Sequence, residues 1–118
     1  MNKTIILHNP RCRKSREALQ YLKDHGKQIK VVNYLKEPLS KSTLKEILAQ
    51  IELQPSQLLR RNEADWKAIE NRNKLTEDQL LDVLVNYPKT IERPIVISAT
   101  SGVLARPLEN LISFLNSN

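Results

Sequence analysis

The chain has a single cysteine, Cys12, set in His8-Asn9-Pro10-Arg11-Cys12-Arg13-Lys14-Ser15-Arg16. An apolar run, Thr4-Ile5-Ile6-Leu7, precedes this stretch, and an amphipathic one with Ala18, Leu19 and Leu22 follows it. A cysteine does chemistry as its thiolate, which a helix N-terminus and nearby cations stabilise. Asn9-Pro10 is turn chemistry, and the residue before a proline is pushed out of the helical region. The stretch therefore reads as a loop from a first strand into a first helix, with Cys12 at or next to the helix start. Unpaired backbone N–H groups and the positive end of the helix dipole there pull a cysteine pKa below its free value of about 8.5. Arg11, Arg13, Lys14 and Arg16 act in the same direction. Exposed cations at a helix start cost roughly 0.3–1 kcal/mol each, so these bases break a local rule and imply an absent anion. Ser15, one helical turn on in a Cys-x-x-Ser pattern, is placed to donate its hydroxyl to the thiolate, in which case Ser15→Ala raises the thiol pKa. The competing reading is a buried structural cysteine beside a solvated basic loop.

A length of 118 residues suits one domain, 1–118, with no internal boundary. Lys and Arg number 19 against 13 Asp and Glu, a net charge of +6 that attracts nucleic acid, phosphate or small oxyanions. The excess is spread along the chain and aromatics for base stacking are scarce, which argues against nucleic acid. With one cysteine there is no internal disulfide; no charged-then-apolar leader opens the chain and no apolar run approaches membrane-spanning length. These features predict a cytoplasmic protein with no membrane partner; the accompanying expectation is a monomer with no metal and no bound cofactor, although nothing in the sequence fixes the oligomeric state. If Cys12 does redox chemistry, its resolving thiol must come from another molecule, such as glutathione or a thioredoxin-type protein.

The elements that must position these residues follow from pattern. The first strand, Lys3 to Leu7, is almost continuously apolar, as a strand buried on both faces would be. Helix one runs from Arg13 to His25 and stops at Gly26. Ile29 to Tyr34, centred on Val31-Val32, is a second strand, parallel to the first through a right-handed crossover. A capping box of Thr43 and Glu46 opens a helix with Leu44, Ile47, Leu48 and Ile51 on one face. From Pro55 to Asn73 the chain is helical in short pieces, with Trp66 as a packing anchor. Thr76 and Gln79 cap a further helix that ends at Pro88. Ile95-Val96-Ile97 and Val103-Leu104-Ala105 form an antiparallel hairpin about a Gly102 turn, and a final helix from about Pro107 turns Leu108, Leu111, Ile112 and Leu115 inward. The order predicts an α/β fold: a four-stranded mixed sheet flanked by helices, with a helical insertion at about 40–88 between βαβ and ββα halves.

Four motifs spread along nearly the whole chain resemble the thioredoxin-fold arsenate reductases that depend on glutathione and glutaredoxin. They are His8-Asn9-Pro10 with Cys12, Ser15 and Arg16; Leu58-Leu59-Arg60 with Asn62; Glu92-Arg93-Pro94-Ile95-Val96; and Arg106-Pro107. The resemblance implies a thioredoxin-like fold with Cys12 as the nucleophile attacking arsenate and Arg60, Arg93 and Arg106 clamping the oxyanion. It further implies that His8 helps hold the thiolate and that Pro94 is the cis proline found before the third strand of such folds. On the same resemblance, glutathione as co-substrate would attack the thiol-arsenate adduct, and glutaredoxin as protein partner would resolve the mixed disulfide. Guanidinium forks match tetrahedral oxyanions bidentately, in agreement with that assignment. Each arginine also fits solvated surface charge, and His8 a satisfied core histidine. Arg13 and Lys14 stand where well-studied members carry small residues, making the entrance more crowded or more basic. A related branch of Spx-type regulators binds RNA polymerase and usually has Cys-x-x-Cys, so a non-catalytic Spx-like binding module is the alternative; Ser15 at the second position argues against that redox switch.

Overall fold

The computed structural model describes residues 4–98 and 101–116, so the predicted first-strand residue Lys3 lies outside the described residues. Contacts divide the chain into two compact units, Met1–Glu37 with Arg93–Asn118, and Pro38–Glu92. The second corresponds to the insertion expected at about 40–88.

The first unit is built on a four-stranded sheet of β1 (Thr4–Leu7), β2 (Ile29–Val32), β3 (Ile95–Ser98) and β4 (Ser101–Leu104), in the order β2-β1-β3-β4. β1 is parallel to β2 and antiparallel to β3, and β3 is antiparallel to β4. This is the mixed sheet predicted from the sequence. α1 (Arg13–Asp24) is the crossover helix between the parallel strands, and α6 (Leu108–Asn116) follows β4. Ile6 and Val96 are directly paired across β1 and β3 and both fully buried. They meet Ala18 and Leu22 of α1 and Leu111 of α6, so both helices lie on one face of the sheet. Complete burial of side chains such as Leu22 and Leu111 stabilises the unit by roughly 1.5–3 kcal/mol each. Leu108, Phe114 and Leu115 pack against this cluster.

Several local expectations are revised. β2 ends at Val32 rather than Tyr34, and Val31 is 46% exposed because β2 is an edge strand with only β1 as neighbour. α1 ends at Asp24, and His25 caps it, stacked on Tyr21 at a ring separation of 4.0 Å. Gly102 is not a turn residue; it lies within β4 opposite Ile97, and the register sets Ser98 against Ser101.

The helical unit holds α2 (Lys41–Ile51), α3 (Pro55–Leu58), α4 (Ala64–Lys67) and α5 (Glu77–Asn86). Leu44, Ile47, Leu48 and Ile51 form the buried face of α2, as their spacing predicts. Its cap is Ser40, whose hydroxyl accepts the Thr43 N–H at 3.1 Å, and not Thr43 itself. Thr76 and Gln79 do form the expected capping box on α5. Trp66 is buried, and Pro55 occupies the first turn of α3.

Candidate active site

The loop between β1 and α1 is held by short-range polar contacts that its own residue types dictate. His8 continues the parallel pairing, donating its N–H to the Val32 carbonyl at 2.8 Å. Asn9 then makes an Asx turn: its Oδ1 accepts the Arg11 N–H at 3.0 Å, and its carbonyl accepts the Cys12 N–H at 3.0 Å. Arg16 reaches back from the first turn of α1, donating Nη1 to the Pro10 carbonyl at 2.9 Å. Asn9 and Arg16 were legible in the motif without a role. Asn before Pro is an Asx-turn signal that would have supplied one for Asn9.

These contacts place Cys12, half-buried, as the N-cap of α1. Burial pushes its thiol up, but opposing groups prevail and leave the pKa below the ordinary cysteine value. The Ser15 backbone N–H faces the sulfur, Arg93 contributes both a hydrogen bond and a charge, and the Lys14 backbone N–H adds to them. Cys12 makes no close side-chain capping bond, so the N–H groups act on the sulfur as oriented dipoles. The Arg93–Pro94 peptide is cis, as is Arg106–Pro107. The Ala105 N–H donates to the Pro94 carbonyl at 2.9 Å, which seats the residue before Arg106 beside the Arg93-Pro94 segment.

His8 and Ser15 are brought together, but not in the manner expected. Ser15 is fully buried; its Oγ lies 2.6 Å from His8 Nδ1 and accepts the Asn9 N–H at 3.0 Å. Ser15 therefore acts on Cys12 through its backbone, and its hydroxyl ties the end of β1 to the start of α1. The pKa of His8 is lowered by burial and by the charges of Arg16 and Lys23. An imidazole neutral at pH 7 is not a cationic partner for the thiolate, so its contribution is to orient Ser15. Burial here is a cost to the charged form that the local cations increase.

Arg60 belongs to the helical unit. There Leu58 to Arg60 run antiparallel to Thr90 to Glu92: the Arg60 N–H donates to the Thr90 carbonyl at 2.7 Å, and the Glu92 N–H to the Leu58 carbonyl at 2.7 Å. Its Nε lies 3.9 Å from Glu92 Oε1, and its buried Nη1 has no hydrogen-bond partner among the described residues. Among those residues no group of three or more His, Cys, Asp or Glu could hold a metal ion, and no helix is long and apolar enough to cross a membrane.

A family model described as ArsC matches residues 7–114. The chain belongs to the ArsC family. It is 39% identical to an arsenate reductase of Neisseria meningitidis, covering 93% of this chain and 96% of the relative. It is 33% identical to an arsenate reductase of Acidiphilium multivorum, covering 98% of this chain and 82% of that one. A solved arsenate reductase from Vibrio cholerae superposes with a TM-score of 0.85 at 32% identity, covering 95% and 97% of the two chains. The thioredoxin-like fold of this ArsC chain is thus shared with its relatives over nearly its full length.

Two measurements check this geometry. The pH dependence of Cys12 alkylation should have its midpoint below about 8.5, the unperturbed value. Arg93→Ala should raise that midpoint; Ser15→Ala, which keeps the backbone N–H, should leave it nearly in place while lowering stability by about 1–3 kcal/mol through loss of a buried partner. The second measurement concerns His8, whose folded pKa lies below the unfolded value of about 6.5. The unfolded chain then binds a proton more readily, so stability is complete above pH 6.5 and lost as pH falls below it. Urea midpoints at pH 7.5 and 5.5 should differ in the wild type and differ less in His8→Gln.

Proposed function

We propose that this protein reduces arsenate to arsenite, with Cys12 as nucleophile and glutathione and glutaredoxin as the source of reducing equivalents. The Cys12 thiolate attacks arsenic; an S–As bond forms, an As–O bond breaks, and oxygen leaves as hydroxide. The glutathione thiolate then attacks the Cys12 sulfur. The S–As bond breaks with its electron pair passing to arsenic, which goes from As(V) to As(III) and departs as arsenite. A glutaredoxin thiol attacks the glutathione sulfur of the remaining mixed disulfide and returns Cys12 as thiolate. Arg93, Arg106 and Arg60 offset the negative charge on the oxyanion and its adduct, the first by its position at the sulfur and the other two by the family likeness.

The observation that carries this reading is a cysteine with a lowered pKa, at a helix start beside Arg93, in a chain of the ArsC family. A lowered pKa raises the thiolate fraction at neutral pH, and a guanidinium beside the sulfur would meet the incoming anion where the new bond forms.

The test is arsenate-dependent NADPH oxidation coupled through glutathione, glutaredoxin and glutathione reductase. Wild type should turn over, Cys12→Ser should not, and Arg106→Ala or Arg60→Ala should lower kcat/KM by about 10²–10³, the usual loss for one oxyanion donor. No turnover by the wild type with glutathione, glutaredoxin or thioredoxin-type donors would overturn the proposal in favour of the Spx-like binding module.

A further inference from the structure

Arg60 and Glu92 meet because of a short backbone bridge in the helical unit. Leu59 and Ile91, both buried, face each other across an antiparallel pairing, with the Arg60 N–H on the Thr90 carbonyl and the Glu92 N–H on the Leu58 carbonyl. That register sets Arg60 opposite Thr90 and makes Glu92, two residues further on, its diagonal neighbour on the same face, a separation that long side chains span. Glu92 Oε1 lies 3.9 Å from Arg60 Nε, and the two side chains are only 26% and 21% exposed. A guanidinium so far out of water is held there by its partner; deprived of it, a long side chain turns its charged head to solvent.

The pairing uses one edge of the guanidinium and leaves another. Nε and Nη1 lie on different edges of a planar group with five N–H donors, and Arg60 Nη1 is buried with no hydrogen-bond partner among the described residues. A buried donor left unsatisfied is costly, and an oxyanion oxygen would satisfy it. The same segment leads to Cys12, because Glu92 directly precedes Arg93, whose guanidinium contributes a hydrogen bond and a charge at the sulfur. We propose that Glu92 is a positioning residue: its carboxylate holds the Nε edge of Arg60 so that Nη1 is kept for the oxygens of the oxyanion. This deepens the proposed function and rests on Arg60 being an oxyanion donor, but it does not require that arsenate be reduced.

The sign of the effect separates positioning from simple electrostatics. A carboxylate beside an anion site repels the anion, so if charge alone counted, removing it would tighten binding. If Glu92 positions Arg60, removing it weakens binding, and only while Arg60 is present.

The experiment uses the whole chain and measures how sulfate, a tetrahedral oxyanion that does not react, and arsenate protect Cys12 from iodoacetamide with no thiol donor present. Glu92→Gln keeps the size of the side chain and removes its charge, and thermal midpoints establish that each variant is folded. Without anion, the pH midpoint of alkylation should match the wild type, since Glu92 is not among the groups that shift the Cys12 pKa. A change in the half-protecting concentration then reports the anion and not the thiol. That concentration should rise about ten-fold for both anions in Glu92→Gln, as for one lost hydrogen bond to a charged group. Arg60→Ala should raise it at least as much, and Glu92→Gln added to Arg60→Ala should raise it no further. Glu92→Asp, which returns the charge on a shorter arm, should recover part of the loss. In arsenate turnover the loss should appear in KM with kcat little changed, since arsenate is an anion before it reacts. An unchanged or lower half-protecting concentration in Glu92→Gln, an equal rise with Arg60 already removed, or no protection of the wild type by either anion would overturn the proposal. Protection that depends on both residues without arsenate turnover would leave this inference standing and remove the arsenate reductase reading instead.

Discussion

The thiol pKa of Cys12 is set by a local balance that could have gone the other way. Partial burial alone would keep the thiol protonated and inert. The Ser15 and Lys14 N–H groups and the Arg93 guanidinium outweigh burial and bring the pKa below the ordinary cysteine value. Two of these contributions come from α1, and the third from the segment that enters β3. The sheet order β2-β1-β3-β4 puts β1, which leads into Cys12, directly beside β3, which follows Arg93. The topology therefore brings together groups some eighty residues apart in sequence, and the chemistry depends on that adjacency more than on any single contact within the loop.

The rest of the first unit keeps this junction in register. The paired Ile6 and Val96 fix β1 against β3 beneath α1 and α6, and the Ser15 hydroxyl, with His8 Nδ1 and the Asn9 N–H, fixes the end of β1 against the start of α1. A buried polar knot of this kind is costly if any member is left unsatisfied, so it specifies one loop conformation. That conformation presents the N–H groups to the sulfur. His8 and Ser15 serve as the frame in which Cys12 is held, with neither side chain acting as a charge partner.

Much of this was legible because the signals are local. Helical spacing gave the apolar faces of α1, α2, α5 and α6; apolar runs separated by a helix gave the parallel pair; Asn9-Pro10 gave the loop; and the basic cluster marked Cys12. What was not legible depends on tertiary placement. Nothing in the spacing of Ser15 says that its hydroxyl turns toward His8 rather than one turn back toward the cysteine. Nothing in Val31 says that its strand lies at the sheet edge. The Gly102 turn was misassigned because glycine is a turn signal by default, whereas here it occupies a strand position opposite Ile97. Ser40 outranked Thr43 as a cap because the two polar side chains compete for the same orphan N–H groups and the earlier residue starts the helix.

The most direct test of Cys12 as the atom where oxyanion chemistry and thiol chemistry meet is the intact mass of the protein after a single exposure to arsenate and reduced glutathione, under anaerobic conditions and without glutaredoxin. The expected product is one glutathione per chain, mapped to Cys12 by peptide digestion, formed with arsenate but not without it, and accompanied by one equivalent of arsenite. An unmodified chain, or glutathione attached to the same extent without arsenate, would contradict it.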